Sequence, residues 1–255
     1  MVRLRPSDIG GYVLAGGKSS RMGRDKALME LAGKPLVLHA VVKLRRVCID
    51  VNILSENPAL NTYAPLVKDL HPGCGPMGGM EAALAHSRYD WNLFMPVDVP
   101  FVPTAYLSGW VRHTLPEQSS VHLQYPNGPG GHRGEHARVR MFTVDGVPQP
   151  TVALVHRDVR PFLTEALERG EYKLFPVLER ACREISVGKG LPAGVGLWNI
   201  PYWSRFASKA GPQRIGEDWW YTTDAQERNS GRWFANLNTP EEFAEAERHV
   251  DALDT

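Results

Sequence analysis

The sequence predicts an α/β protein with a mostly parallel sheet and helices on its faces. Three observations carry this. Short apolar runs alternate with helix-period segments through the first half of the chain, the pattern of strand–helix–strand units. Those runs end in glycines or aspartate, where sheets of this kind bind ligands at their carboxyl ends. Composition is globular, with 43% hydrophobic and 22% charged residues over 255 positions, which excludes a collagen-like, low-complexity or disordered chain.

The elements follow in order. Gly11 to Ala15 reads as a buried strand running into glycines. Lys34 to Val47 reads as a helix with Leu36, Ala40, Val41 and Leu44 on one face. Asp50 to Leu54 is a second strand, Pro58 to Pro65 is turn-rich or briefly helical, and Val67 to Asp69 is a third, short strand. Gly79 to Ser87 is a helix of small and apolar residues, and Trp91 to Val97 a fourth strand stopped by Asp98 and Pro100. Ser120 to Tyr125 and Arg138 to Val144 read as strands around a glycine-rich loop. Asp145-Gly146 is a turn into a strand at Pro150 to Val155, and Arg160 to Arg183 is helical with a break near Gly170. Residues 188–231 show no clear period. Phe234 to Leu237 is a short strand, and Thr239-Pro240-Glu241-Glu242 opens the last helix, with residue types suited to N-cap, first position and first turn. The chain reads as one domain over 1–255 with an aromatic-rich insertion at about 188–232.

Charge and cysteine usage exclude whole classes. Lys plus Arg is 29 against 28 Asp plus Glu, a balance without the basic footprint of a nucleic-acid binder. The three cysteines, Cys48, Cys74 and Cys182, lack the spacing of a disulfide framework or zinc site. No apolar run approaches the roughly 20 residues of a membrane span, and the N-terminal apolar stretch is too short for a signal peptide. The expectation is a soluble cytoplasmic protein.

The chemistry concentrates in three places. In Leu14-Ala15-Gly16-Gly17-Lys18-Ser19-Ser20-Arg21-Met22-Gly23-Arg24-Asp25-Lys26, a strand runs into two glycines followed by cations. Backbone amides and fixed cations make an anion site suited to a polyphosphate. The spacing does not fit the Walker GxxxxGK[ST] pattern. Gly73 to Gly78 formally matches GxGxxG, but Pro72 and Pro76 make a poor dinucleotide fingerprint, so a tight loop before the Gly79 helix is the better reading. Asp98, in Met95-Pro96-Val97-Asp98-Val99-Pro100-Phe101, ends an apolar strand with one carboxylate, which suits a Mg2+ ion shared with substrate phosphates. His132 and His136 lie in a glycine-rich stretch that argues against a zinc-binding helix and reads as a surface loop. The aromatics Trp198, Tyr202, Trp203, Phe206, Trp219, Trp220, Tyr221, Trp233 and Phe234 read as a packed addition, a wall for a planar ligand or a docking surface.

Taken together, LAGGKSSRMGRDKAL, PGCGPMGG, PVDVPF and the closing Asn236-Leu237-Asn238-Thr239-Pro240-Glu241-Glu242 resemble the molybdenum cofactor guanylyltransferase (MobA-type) family. PQPTVALVHR resembles that family's middle segment. The resemblance implies a three-layer nucleotidyltransferase sandwich, GT-A-like or Rossmann-like, with C-terminal insertions. It implies that Leu14, Ala15 and Gly16 hold GTP by backbone contacts, and that Lys26 contacts its phosphates, with Lys18 and Arg21 adding further contacts. Asn52 and Asp69 match GTP-site positions, Asp98 the position for GTP and Mg2+, and Asn236 and Asn238 the approach of molybdopterin. Lys26, Arg21 and Asp98 form the implied catalytic set. The implied reaction joins GMP to the terminal phosphate of molybdenum-molybdopterin and releases pyrophosphate. That phosphate is largely ionised near neutrality, with a second pKa of about 6, so no activating base is needed. The protein must align two anions and offset their repulsion. The resemblance leaves room for transient contact with cofactor-biosynthesis proteins or acceptor molybdoenzymes. The alternatives are the same chemistry with CTP, transfer to a sugar phosphate, and a non-catalytic GTP-binding module.

Overall fold

A computed structural model describes residues 9–16, 25–114, 136–204, 209 and 222–254. Its sheet begins with β1 (Ile9–Leu14), β4 (Asp50–Leu54), β5 (Leu66–Val67) and β6 (Trp91–Pro96), and continues with β7 (Val139–Val144), β8 (Val147–His156) and β9 (Leu197–Tyr202). The strand order is β5-β4-β1-β6-β8-β7-β9. The first four strands are parallel, β8 runs antiparallel to both β6 and β7, and β9 runs parallel to β7. A small antiparallel ribbon of β2 (Glu30–Leu31) and β3 (Lys34–Pro35) stands apart.

Alternate side chains of the parallel strands enter two separate cores, as the two-residue period requires. Ile9, Val13, Ile53, Leu93 and Met95 pack with α1 (Leu36–Arg45) and α3 (Thr104–Thr114). Tyr12, Leu14, Leu54 and Phe94 pack with α2 (Gly75–His86), α4 (Arg160–Glu168) and α5 (Leu174–Gly188) on the other face. The result is three layers, as the resemblance implied. Two short helices, α6 (Asp224–Arg228) and α7 (Pro240–Ala246), lie in the C-terminal segment.

Several expected elements differ. The helix expected from Gly79 begins at Gly75 instead, because Pro76 suits a first helical turn, where its missing N–H is not needed. The GxGxxG match is therefore partly helix. The third strand ends at Val67, leaving Asp69 beyond it. Phe234 to Leu237 forms no strand. Its apolar side chains are buried one by one while its backbone follows an irregular path. Within the stretch that lacked a period, Leu197–Tyr202 is a strand of the main sheet. The expected strand at Ser120 to Tyr125, His132, and the aromatics Phe206, Trp219, Trp220 and Tyr221 lie outside the described residues.

The aromatics that are described mostly build core. Tyr202 and Trp233 are buried and stack at a ring separation of 5.9 Å. Phe234 packs against Phe142 and Tyr202, and Tyr106 against Trp233 at 4.7 Å. Trp198 is half-buried beside the Arg140 guanidinium. Trp203 is the exception, 55% exposed just past β9. All three cysteines are free thiols. Burial pushes the Cys182 thiol up to about 12. No helix among the described residues is long and apolar enough to cross a membrane.

Candidate active site

The carboxyl ends of β1, β4 and β6 lie side by side and are tied beyond their last paired residues. The Ala15 amide donates to the Leu54 carbonyl at 3.2 Å, and the Val97 amide to the Leu14 carbonyl at 3.3 Å. Leu14 is buried, Ala15 half-buried and Gly16 exposed, so the chain emerges at this edge as bare backbone. Asp98 emerges from β6 one strand away.

Lys26 returns to this edge on a single 3-10 turn, Lys26–Leu28. Asp25 caps the turn by accepting from the Ala27 amide at 2.9 Å, and its other oxygen accepts from the Asn57 side chain. That anchor places the Lys26 ammonium 2.8 Å from Asp98 Oδ2 and in a hydrogen bond to Asn238 Oδ1. Asn238 arrives from the far end of the chain by two backbone ties. The Leu237 amide donates to the Asp98 carbonyl at 2.9 Å, and Glu242 Oε2 accepts from the Asn238 and Thr239 amides. Thr239 and Glu242 also close a reciprocal capping box that starts α7.

A second group lies on the α2 side. Asp69 is half-buried, with its carboxylate over Gly78 and Gly79; a methyl at either glycine would sit 3.4 Å from an Asp69 oxygen. Burial first, and then the Glu56 carboxylate, push the Asp69 carboxyl above its usual range. Asn52 is buried on β4 as the register partner of Tyr12, on the same α2 side.

Of the residues singled out in the sequence, the structure gathers Lys26, Asp98 and Asn238 into direct contact. Leu14, Ala15 and Gly16 form the adjoining strand end, while Asn52 and Asp69 line the α2 side without joining the ion pair. Asn236 is exposed on the irregular segment before Asn238. Lys18 and Arg21 lie outside the described residues. Sequence reasoning gave no role to Asp25 or Asn57, and read Glu242 only as an acid of the first helical turn. Asp25 stood inside a quoted motif, but its capping partner is visible only once the local turn is known, whereas the Thr239-x-x-Glu242 spacing was a signal that could have found the reciprocal cap.

The donor set also bears on Mg2+. Among the described residues no group of three His, Cys, Asp or Glu side chains could hold a metal by themselves. Mg2+ is ordinarily held by one or two carboxylates with substrate phosphates supplying the rest. One partly exposed carboxylate at the mouth of an anion site fits that arrangement. Lys26 now occupies the place of a neutralising cation beside it.

A mostly parallel sheet whose glycine-ended strand, cation and carboxylate meet at the carboxyl edge is an arrangement suited to a nucleotidyltransferase. The family model for the MobA-like NTP transferase domain matches residues 11–184, and the chain belongs to that family. It is 33% identical to a molybdenum cofactor guanylyltransferase of Vibrio cholerae over 175 residues, covering 67% of this chain and 77% of that one. With the Serratia proteamaculans protein of the same name it shares 34% over 180 residues, covering 68% and 81%. In structure it resembles a molybdopterin-guanine dinucleotide biosynthesis protein A from Archaeoglobus fulgidus, with a TM-score of 0.61 over 96% of this chain and all of that one, at 20% identity.

Proposed function

We propose that this protein transfers GMP from GTP to molybdenum-molybdopterin, forming molybdopterin guanine dinucleotide and pyrophosphate. The observation that carries this reading is the convergence of Lys26, Asp98 and Asn238 beside the open end of β1. The name shared by the relatives gives the acceptor and the base.

In this reading the terminal phosphate oxygen of molybdopterin attacks the α-phosphorus of GTP. A P–O bond forms there, the bond to the β-phosphate bridge breaks, and pyrophosphate leaves. Backbone groups at Leu14, Ala15 and Gly16 hold the nucleotide, with Asn52 and Asp69 on the α2 side. Lys26, with Arg21 and Lys18, offsets phosphate charge, while Asn236 and Asn238 face the acceptor. Mg2+ on Asp98 would supply charge neutralisation across the phosphates. The catalytic demand is alignment and electrostatics rather than proton transfer. We read residues 1–255 as one catalytic domain whose C-terminal aromatic stretch is largely packing. Three free thiols suit a reducing cytoplasm. Exposed Trp203 at the carboxyl edge is the place we assign to transient contact with acceptor molybdoenzymes or cofactor-biosynthesis proteins.

The test incubates purified protein with molybdenum-loaded molybdopterin, Mg2+ and either GTP or CTP, and measures pyrophosphate and the dinucleotide. Turnover with GTP is expected. Turnover with CTP alone would keep the mechanism and overturn the base assignment. GTP binding without any turnover would leave a binding module.

A further inference from the structure

We propose that Asn238 is a positioning residue for the nucleotide: it holds the Lys26 ammonium in place at the sheet edge before any triphosphate arrives. The inference rests on the nucleotidyltransferase reading of the site, but it gives Asn238 a task on the donor side of the reaction rather than only beside the acceptor.

Three features of the geometry carry it. First, the Asn238 side-chain oxygen accepts directly from Lys26 Nζ, across a sequence separation of 212 residues. Second, Asn238 is itself held from both sides. The preceding amide is tied to the Asp98 carbonyl, and its own amide is tied to Glu242. Glu242 is fixed in turn by the capping box with Thr239. The carbonyl aimed at Lys26 therefore belongs to the residue just before the N-cap of α7, in a segment tied by backbone bonds on both sides. Third, Asp98 contacts the same ammonium from β6. Two acceptors from two distant segments converge on the end of a long, flexible side chain.

The chemistry explains why an amide stands there. A lysine loses much rotamer freedom when its ammonium is fixed. Fixing it in the free protein removes that loss from the binding step, which is how preorganisation raises affinity. A carbonyl oxygen orients the ammonium without cancelling its charge. A second carboxylate beside Asp98 would orient it too, but would repel the incoming phosphates. The same bond joins the two substrate sides, because the segment that carries exposed Asn236 also fixes the lysine.

The experiment measures the dissociation constant for GTP with Mg2+ and no acceptor, for wild type, Asn238→Ala, Lys26→Ala and the double variant. Asn238→Ala is expected to weaken GTP by about five- to tenfold, with the thermal midpoint unchanged. In the Lys26→Ala background the same substitution is expected to add nothing, because the group it positions is gone. Unchanged GTP affinity in Asn238→Ala, with only the acceptor KM raised, would overturn the proposal. So would a full additional loss in the double variant, which would mean that Asn238 touches the nucleotide by itself. A wild-type protein that binds no nucleoside triphosphate would overturn the site reading and this inference with it.

Discussion

The molecule contains two lysine–aspartate pairs of similar chemistry and opposite character. Lys26 and Asp98 meet at the carboxyl edge of the sheet with side chains 17% and 23% exposed. Lys43 and Asp254 meet under the α1 and α3 layer at 1% and 9%. Asp254 is saturated: besides Lys43 it accepts from the Thr104 amide, from Thr104 Oγ1 at 2.7 Å and from Gln226 Nε2 at 2.9 Å. Burial alone would push its carboxyl up, but Lys43 and the Thr104 donors outweigh that and hold it below the usual range. The sealed pair fastens residue 254 and α6 to α1 and α3. The half-wet pair borders solvent, so an incoming ligand can reach its members. Solvation, not the identity of the partners, separates a fastener from a working site.

Six substitutions would break or sharpen that contrast. The largest effect is expected from Asp98→Ala, with turnover down by about a thousandfold or more, ~4 kcal/mol of transition-state stabilisation. Circular dichroism and the thermal midpoint should barely change, and retention of most Mg2+-dependent turnover would remove Asp98 from the mechanism. Asp254→Ala should do the opposite. Leaving Lys43 buried without its partner costs about 3–5 kcal/mol of stability in urea titrations. The sign of the pH dependence follows from the depressed carboxyl. Its contribution is present above the ordinary aspartate range and is lost as pH falls through the lower folded value. Stability curves below about pH 4 should therefore flatten in Asp254→Asn relative to wild type.

Smaller effects are expected on the α2 side. A methyl at Gly78 would meet the His71 carbonyl oxygen at 2.9 Å, whereas at Gly79 the nearest atom is an Asp69 oxygen at 3.4 Å. Gly78→Ala should destabilise by about 1–3 kcal/mol, while Gly79→Ala should be neutral or stabilising by up to about 1 kcal/mol as a helix-interior change. Equal urea midpoints for the two would show that the His71 loop yields freely. Asp69→Asn is expected to have the smallest effect on stability. A carboxyl raised by burial opposes folding as pH rises through its folded value. Its removal should add a few tenths of a kcal/mol near neutrality while weakening GTP, the usual conflict between site and stability. A variant with both properties unchanged would take Asp69 out of the binding surface.

What the sequence made legible follows from where each residue's constraint lies. DVNIL reads as β4 to the residue because a buried parallel strand is a continuous apolar run. The start of α2 was hidden because GPMGG has loop composition, and its small residues answer to Asp69 and His71 in the loop just before the helix, a packing contact that spacing does not show. The strand β9 was hidden by Pro201, which an edge strand paired on one side tolerates. In the site, Lys26, Asp98 and Asn238 stood in motifs, and the resemblance to a family supplied their roles. Their mutual contact had no local signal. Neither did Asp25, whose work is done through a backbone amide, whereas Glu242 had the Thr-x-x-Glu spacing of a capping box.

The strand β8 has a consequence of a different kind. It spans Val147–His156, longer than its six-residue neighbours, and its last partner toward the carboxyl edge of β6 is Phe94 opposite Ala153. Its first residues therefore overhang that edge, ending in the Asp145-Gly146 turn with exposed Val147. Changes of length or composition at this tip would alter the rim of the proposed nucleotide site without touching the contacts that join Lys26, Asp98 and Asn238. The overhang gives evolution a place to vary the neighbours of the reaction while the phosphate chemistry stays fixed.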